Sequence, residues 1–169
     1  MTANVTSVRL QILQAMQSKF EAMTVAGGNG ALDATTDDPY GIHWSTVGIG
    51  PLVKFDQRKR YSLGLAAGRE SERFMFPLVE CLLNVNVEFR VTVNSDDDTP
   101  GVMVEQALTV VKRALVADRT WGGLAIDTKV TGSEIDLVTY ADRSAMGVCM
   151  AQIQYRYNYN DPRSEWGST

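Results

Sequence analysis

The strongest pattern in the chain is an alternation: Val79, Cys81, Leu83, Val85, Val87, Phe89, Val91 and Val93 occupy every second position, with Glu80, Asn84, Asn86, Glu88, Arg90 and Thr92 between them. Successive side chains of a strand point to opposite faces, so this run predicts one long strand with a buried face and a wet one. It exceeds the usual strand of about five or six residues, so part of it is expected to project beyond the domain or to bend at a bulge. Upstream, Tyr61 to Ala66 is predicted to pair with it antiparallel, Ala67-Gly68-Arg69-Glu70-Ser71 supplying the turn of a β-hairpin. Leu124 to Val130, Glu134 to Tyr140 and Met146 to Tyr159 are predicted as three further strands. Thr131-Gly132-Ser133 and Ala141-Asp142-Arg143-Ser144 join them into a meander.

A spacing of three and four marks two helices. Val5, Val8, Ile12, Met16, Phe20 and Met23 form one apolar stripe, which predicts an amphipathic helix from Val5 to Met23. The second is signalled at both ends and runs to Ala117. Thr99 is a hydroxyl N-cap, Pro100 takes the first helical position, and Asp96, Asp97 and Asp98 sit beside the positive end. Val104, Ala107, Leu108, Val111 and Leu115 make its apolar face; Lys112, Arg113 and Arg119 lie near the negative end, and Gly122-Gly123 stop it. Between the first helix and the hairpin, residues 27 to 55 read as a long insertion. Gly27 to Pro39 has loop composition, and Trp44 to Phe55, broken by Gly48, Gly50 and Pro51, predicts an irregular or edge strand. The expected fold class is α+β: a mostly antiparallel sheet, hairpin plus three-stranded meander, with two helices packed on one face and a polar tail from Asn160 to Thr169.

Composition narrows the function classes. At 169 residues, 44% hydrophobic and 21% charged, the chain matches ordinary globular usage and is read as a single domain, 1–169. A net charge of -4 argues against DNA or an anionic membrane as the main partner. Arg9, Gln11, Gln14, Gln17 and Lys19 interrupt the opening stretch, so no secretory leader is expected, and no apolar run is long enough to span a membrane. Cys81 and Cys149 lie in apolar, strand-like stretches without metal-ligand spacing, which predicts buried thiols and a reducing compartment.

No catalytic constellation assembles from the motifs. The one histidine, His43, stands in a Gly/Pro-rich loop beside Trp44. Asp96-Asp97-Asp98 lacks the alternate ligands and distal glutamate of a calcium loop, and Gly27-Gly28-Asn29-Gly30 lacks the Lys-Ser or Lys-Thr of a phosphate-cradling loop. Arg58-Lys59-Arg60 beside Tyr61 is a basic cluster with one aromatic, of a kind that can touch a phosphate backbone, and reads first as a solvated loop or, within a ring, as a partner-facing surface. Tyr155, Tyr157 and Tyr159 share a face of the last strand, read as core or subunit packing in preference to base stacking. No cofactor and no metal are expected.

The stretch Val104-Glu105-Gln106-Ala107-Leu108, Lys112-Arg113-Ala114-Leu115, Asp118-Arg119-Thr120-Trp121-Gly122-Gly123-Leu124-Ala125, then Gln152-Ile153-Gln154-Tyr155-Arg156-Tyr157 with Asp161-Pro162, resembles the tail terminator proteins of long-tailed bacteriophages. The resemblance covers Thr99 to Pro162 and the opening helix; it departs at Trp121 before the glycine pair and in the insertion from Gly27 to Phe55. It implies a virion protein of the tail or neck, assembled in the host cytoplasm. Its copies would close into a homohexameric ring that caps the tail tube, ends its polymerisation and offers a surface to the head-tail connector. A sheath protein would be a further partner if the tail contracts, and DNA would pass through without specific binding. On that basis the candidate interface residues are Arg58, Lys59, Arg60, Val85, Val87, Phe89, Val91, Arg119, Trp121, Tyr155 and Tyr157. Alternatives are a neck adaptor ring between portal and tail, and a small α+β enzyme or ligand-binding domain centred on His43 and Asp37-Asp38.

Overall fold

The alternating run builds the centre of a sheet. In the computed structural model, which describes residues 6–25, 42, 44–52, 61–93, 99–136 and 144–165, the order is α1 (Val8–Val25), β1 (Thr46–Ile49), β2 (Tyr61–Met75), β3 (Leu78–Thr92), α2 (Pro100–Ala117), β4 (Asp127–Asp136), β5 (Ser144–Asn158) and β6 (Asp161–Glu165). The sheet order is β1-β2-β3-β5-β4, with β6 pairing to β5; among the described strands only the β1–β2 pair is parallel. The fold class is α+β, as the pattern predicts.

Both helices lie on the face that β3 offers through Val79, Cys81, Leu83, Val85, Val87, Phe89 and Val91, all buried. From α1, Val8, Ile12, Met16 and Phe20 are fully covered; α2 contributes Val104, Ala107, Val111 and Leu115. Trp44 ties the layers together, with Phe20, Tyr61 and Phe89 edge-on to its ring at about 6 Å. Gly147 lies opposite Phe89 across the β3–β5 pair. A Cβ there would stand 2.3 Å from the Phe89 ring, so the glycine makes room for the largest side chain of that layer.

Three details differ from the sequence reading, and two share a cause. The hairpin does not turn at Ala67 to Ser71; a bulge between Ala67 and Glu70 carries β2 on to Met75, and the reversal occurs at Phe76-Pro77. Likewise Thr131-Gly132-Ser133 is no turn. A bulge between Val130 and Gly132 makes Asp127–Asp136 one strand, so a single long strand replaces two short ones in the expected meander. In both places one extra residue is absorbed in a continuing strand: Gly68-Arg69 stand against Asn84 alone, and Thr131 is the unpaired residue between Val130 and Gly132. The polar tail is also not all tail, since Asp161–Glu165 pairs with β5. The edge strand expected between Trp44 and Phe55 is present as the four residues of β1.

At the helix ends, Ser7 caps α1 through its hydroxyl, which accepts from the Leu10 N–H at 3.2 Å. Thr99 takes the N-cap position of α2 but makes no side-chain cap bond.

Candidate functional site

Beyond the bulge, the outer half of β2 leaves the core. Its burial changes from fully covered at Tyr61–Leu65 to exposed at Ser71–Met75. At its end Phe74, Phe76 and Tyr159 form an aromatic cluster, with Phe74 edge-on to Tyr159 at 4.8 Å and Phe76 within 6.5 Å of both. Tyr159 is held there by its N–H, which donates to the Pro77 carbonyl at 2.8 Å. The exposed fractions are 59% for Phe74, 71% for Phe76 and 52% for Tyr159; at about 150–250 Å² per aromatic side chain they present roughly 300–450 Å² of ring surface. Met75 adjoins them, 40% exposed. A patch of this size is as large as the greatest on a typical monomer, where such patches often serve binding.

The bulge also decides what lies beneath the cluster. Before it, odd-numbered residues of β2 face the helices; after it, Glu70, Glu72 and Phe74 do, opposite Leu83, Cys81 and Val79. The Tyr155 hydroxyl donates to Glu70 at 2.6 Å, the Tyr157 hydroxyl donates to Glu72 at 3.3 Å, and Arg9 of α1 approaches Glu70 at 3.6 Å. Burial and the facing glutamate raise the Tyr155 pKa, and burial pushes Tyr157 up to about 12, so both phenols stay protonated donors at neutral pH. Glu70, Glu72 and Cys81 bring their donor atoms within 4.8 Å of one another. Both carboxylates already accept hydrogen bonds from the tyrosines, and burial holds the Cys81 thiol protonated by pushing its pKa up to about 12. Cys149 is also free and buried, its pKa pushed up to about 11 by desolvation.

Among the described residues, the opposite face of the sheet carries no helix. Glu80, Asn84 and Asn86 of β3 lie there with Gln152, Gln154 and Arg156 of β5. Arg156 donates to Glu80 at 2.7 and 2.9 Å, and this bond holds the Glu80 carboxyl below the usual carboxylate range. At the far end the Gly50–Leu52 segment crosses this face. Leu52 N–H donates to Glu88 at 2.9 Å, and a Cβ on Gly64 would meet the Gly50 carbonyl at 2.8 Å.

The sequence-derived interface residues divide sharply. Val85, Val87, Phe89 and Val91 are completely buried beneath the helices, and β3 is paired on both sides, so neither their side chains nor their backbone forms a surface. Tyr155 is buried against Glu70, whereas Tyr157 is only partly covered. Trp121 is buried too. Its indole N–H donates to the Thr128 hydroxyl at 2.8 Å, and that hydroxyl donates to the Arg119 carbonyl at 2.9 Å.

The Asp118 to Gly123 motif is therefore a folded turn. Asp118 accepts from Thr120 N–H, Thr120 hydroxyl and Gly122 N–H at 2.8–3.0 Å, bonds that hold its carboxyl below the ordinary range. Trp121, Gly122 and Gly123 all take positive φ (51°, 72°, 90°). Arg119 pairs with Asp127 at 2.6 Å on the surface. Arg58, Lys59, Arg60, His43, Asp37-Asp38, Gly27 to Pro39 and Asp96 to Asp98 lie outside the described residues.

Sequence reasoning missed the aromatic tip, although Phe74-Met75-Phe76 before Pro77 breaks the polar alternation around it and is the signal that would have found it. None of the helices described is long and apolar enough to cross a membrane. Compared with known proteins, the chain matches no family model and no curated sequence.

Proposed function

We propose that this chain is a structural protein of a long-tailed bacteriophage, copies of which close into a ring that caps the tail tube, ends its growth and presents a surface for joining to the head. The observation that carries this reading is the outer half of the β2–β3 hairpin. It places an exposed aromatic cluster beside a strand edge that is unpaired among the described residues, a surface suited to protein rather than to a small molecule. The patch alone is about half of what a standard interface buries on each partner, roughly 800 Å². A ring offering the same patch from every copy engages a partner many times at once, which multiplies a modest contact. The sequence likeness over Thr99 to Pro162 favours a tail tube as that partner. The net charge of -4 per copy is compatible with a lumen through which DNA slides without being held.

The test is negative-stain imaging of tails assembled without this protein. Tubes of uncontrolled length support the terminator role. Correct-length tails that fail to join heads move the protein to the neck, and normal virions refute both.

A further inference from the structure

The outer face of α2 has the same pattern read from either end. Val104, Ala107, Val111 and Leu115 face the sheet. At about 100° per residue, the direction opposite to them is taken by Val102, Thr109 and Val116, which stand within about 20° of one line along the helix. Thr109 is exposed, and Val102 and Val116 are 54% and 48% exposed. Glu105 and Lys112 lie on one flank of that line, Gln106 and Arg113 on the other.

A two-fold axis at Thr109 turns this pattern onto itself. With α2 laid antiparallel on α2 of a second copy and Thr109 against its own copy, Val102 comes level with Val116, because each stands seven residues from the centre. The rotation keeps each flank on its own side. Glu105, four residues before the centre, therefore meets Lys112 of the second copy, three residues after it, and the pair is made twice. Their levels differ by only about 1.5 Å, the rise of one residue. Gln106 meets Arg113 in the same way on the other flank.

Charge selects this register. A centre one turn earlier sets Glu105 against its own copy, a centre one turn later sets Lys112 and Arg113 against theirs, and a parallel pair does both. Like charges set together across an interface are strongly unfavourable. The antiparallel pair also places the positive end of each helix beside the negative end of the other. Shape agrees. An open groove of about 470 Å³ follows the N-terminal half of α2, lined by Thr99, Gly101, Val102, Glu105, Gln106 and Thr109, and a Cβ on Gly101 would meet nothing within 4 Å. In this register it receives the C-terminal half of the second helix, Val116 foremost.

We propose that the outer face of α2 is a self-recognition surface, which pairs antiparallel with α2 of a second copy about a two-fold axis at Thr109, through Val102–Val116 contacts and reciprocal Glu105–Lys112 pairs. The contact goes beyond the ring reading and needs neither the aromatic tip nor a tube. A strip about 21 Å long and one helix diameter, about 10 Å, in width covers about 200 Å² of each copy. That is well below the roughly 800 Å² per partner of a standard interface, so the dimer is a transient one, populated at high concentration.

The experiment uses the full chain, whose native thiols are both buried. Thr109→Cys is expected to form a disulfide-linked dimer on mild oxidation several times faster than Asn86→Cys, which is exposed on the opposite face of the sheet. In sedimentation equilibrium, Glu105→Lys, Lys112→Glu and Val116→Asp are each expected to raise the dimer Kd at least about fivefold. An equimolar mixture of Glu105→Lys and Lys112→Glu is expected to associate within about twofold of wild type, because every charge pair across the mixed contact is again complementary. Thermal melts show which variants stay folded. Lys112 is partly buried, so if Lys112→Glu melts early, slowing of the Thr109→Cys link by Glu105→Lys in the same chain decides instead.

A Thr109→Cys chain that links no faster than Asn86→Cys overturns the inference. So does a mixture of folded variants no better than the singles, or a Thr109→Cys link that Glu105→Lys does not slow. The tail role stands or falls separately: tails that need this protein although Thr109→Cys never links keep that role and remove the α2 contact, and a contact that obeys the exchange in a protein that tails can do without keeps the contact and removes the role.

Discussion

Replacing Phe76 by serine separates docking from folding. In the fold, Phe76 is 71% exposed, so only the covered third of a side chain whose full burial is worth about 3–5 kcal/mol contributes to stability, or about 1 kcal/mol. For a chain of this size that lowers the melting temperature by about 2–4 °C. Docking uses the other part. The exposed 71% of about 200 Å² of ring, at about 25 cal/mol per Å², is worth up to roughly 3–4 kcal/mol per copy when covered. The substitution should thus leave a folded, ring-forming protein that no longer sediments with tail tubes. Melting curves and co-sedimentation with tubes, run on the same preparation, give both numbers. A melting temperature lowered by more than about 10 °C would show that Phe76 belongs to the core, and undiminished tube binding would show that the tip meets nothing. Either result refutes the reasoning.

Gly147→Ala should destabilise by about 1–3 kcal/mol, because its Cβ would stand 2.3 Å from the Phe89 ring inside a closed core; Gly48→Ala, with nothing within 4 Å, is the control, and urea titration of both decides. Thr128→Val removes the acceptor of the Trp121 indole N–H in a buried site and should cost about 1–3 kcal/mol by the same measurement. The Glu80 and Asp118 carboxyls are held below their ordinary pKa values, by Arg156 and by the Thr120 and Gly122 donors respectively. Their stabilisation is therefore full above the unfolded-state values near about pH 4 and is lost as pH falls through the lower folded-state values. The stability gap between wild type and Asp118→Asn should be wide at pH 7 and narrow on acidification below about pH 3–4, and a constant gap contradicts the linkage.

The parts of the fold legible in the sequence are those with one strong period. The β3 alternation and the α2 stripe with its Thr99-Pro100 start fix both elements to within a residue or two. The illegible parts are those where a glycine has two uses. Gly68 and Gly132 each carry the signal of a turn, yet Gly68 lies within one bulge and Gly132 pairs with Met150 directly after another, whose extra residue is Thr131, because the strand partners on either side continue the ladder. That choice is made by tertiary pairing and leaves no local signal. The site follows the same rule. The tyrosine alternation at Tyr155 and Tyr157 is visible, but their glutamate partners lie 85 residues away in sequence. Trp121, singled out as an interface residue, is buried because its positive φ turns the indole towards Thr128.

The bulge between Ala67 and Glu70 decides which side chains the outer half of β2 offers to each face of the sheet. Side chains alternate with a period of two, so one extra residue exchanges the faces of everything that follows it in the strand. With the bulge, Glu70 and Glu72 reach the Tyr155 and Tyr157 hydroxyls, and Arg73 lies on the helix-free face beside Glu80. Without it, Arg69, Ser71 and Arg73 would face the tyrosines and the two glutamates would line the helix-free edge. The buried Tyr155 hydroxyl would then lose its acceptor, at a cost of about 1–3 kcal/mol. One inserted residue therefore gives the buried Tyr155 hydroxyl its acceptor and sets Arg73 on the face of Glu80, so the two placements follow from the same local geometry.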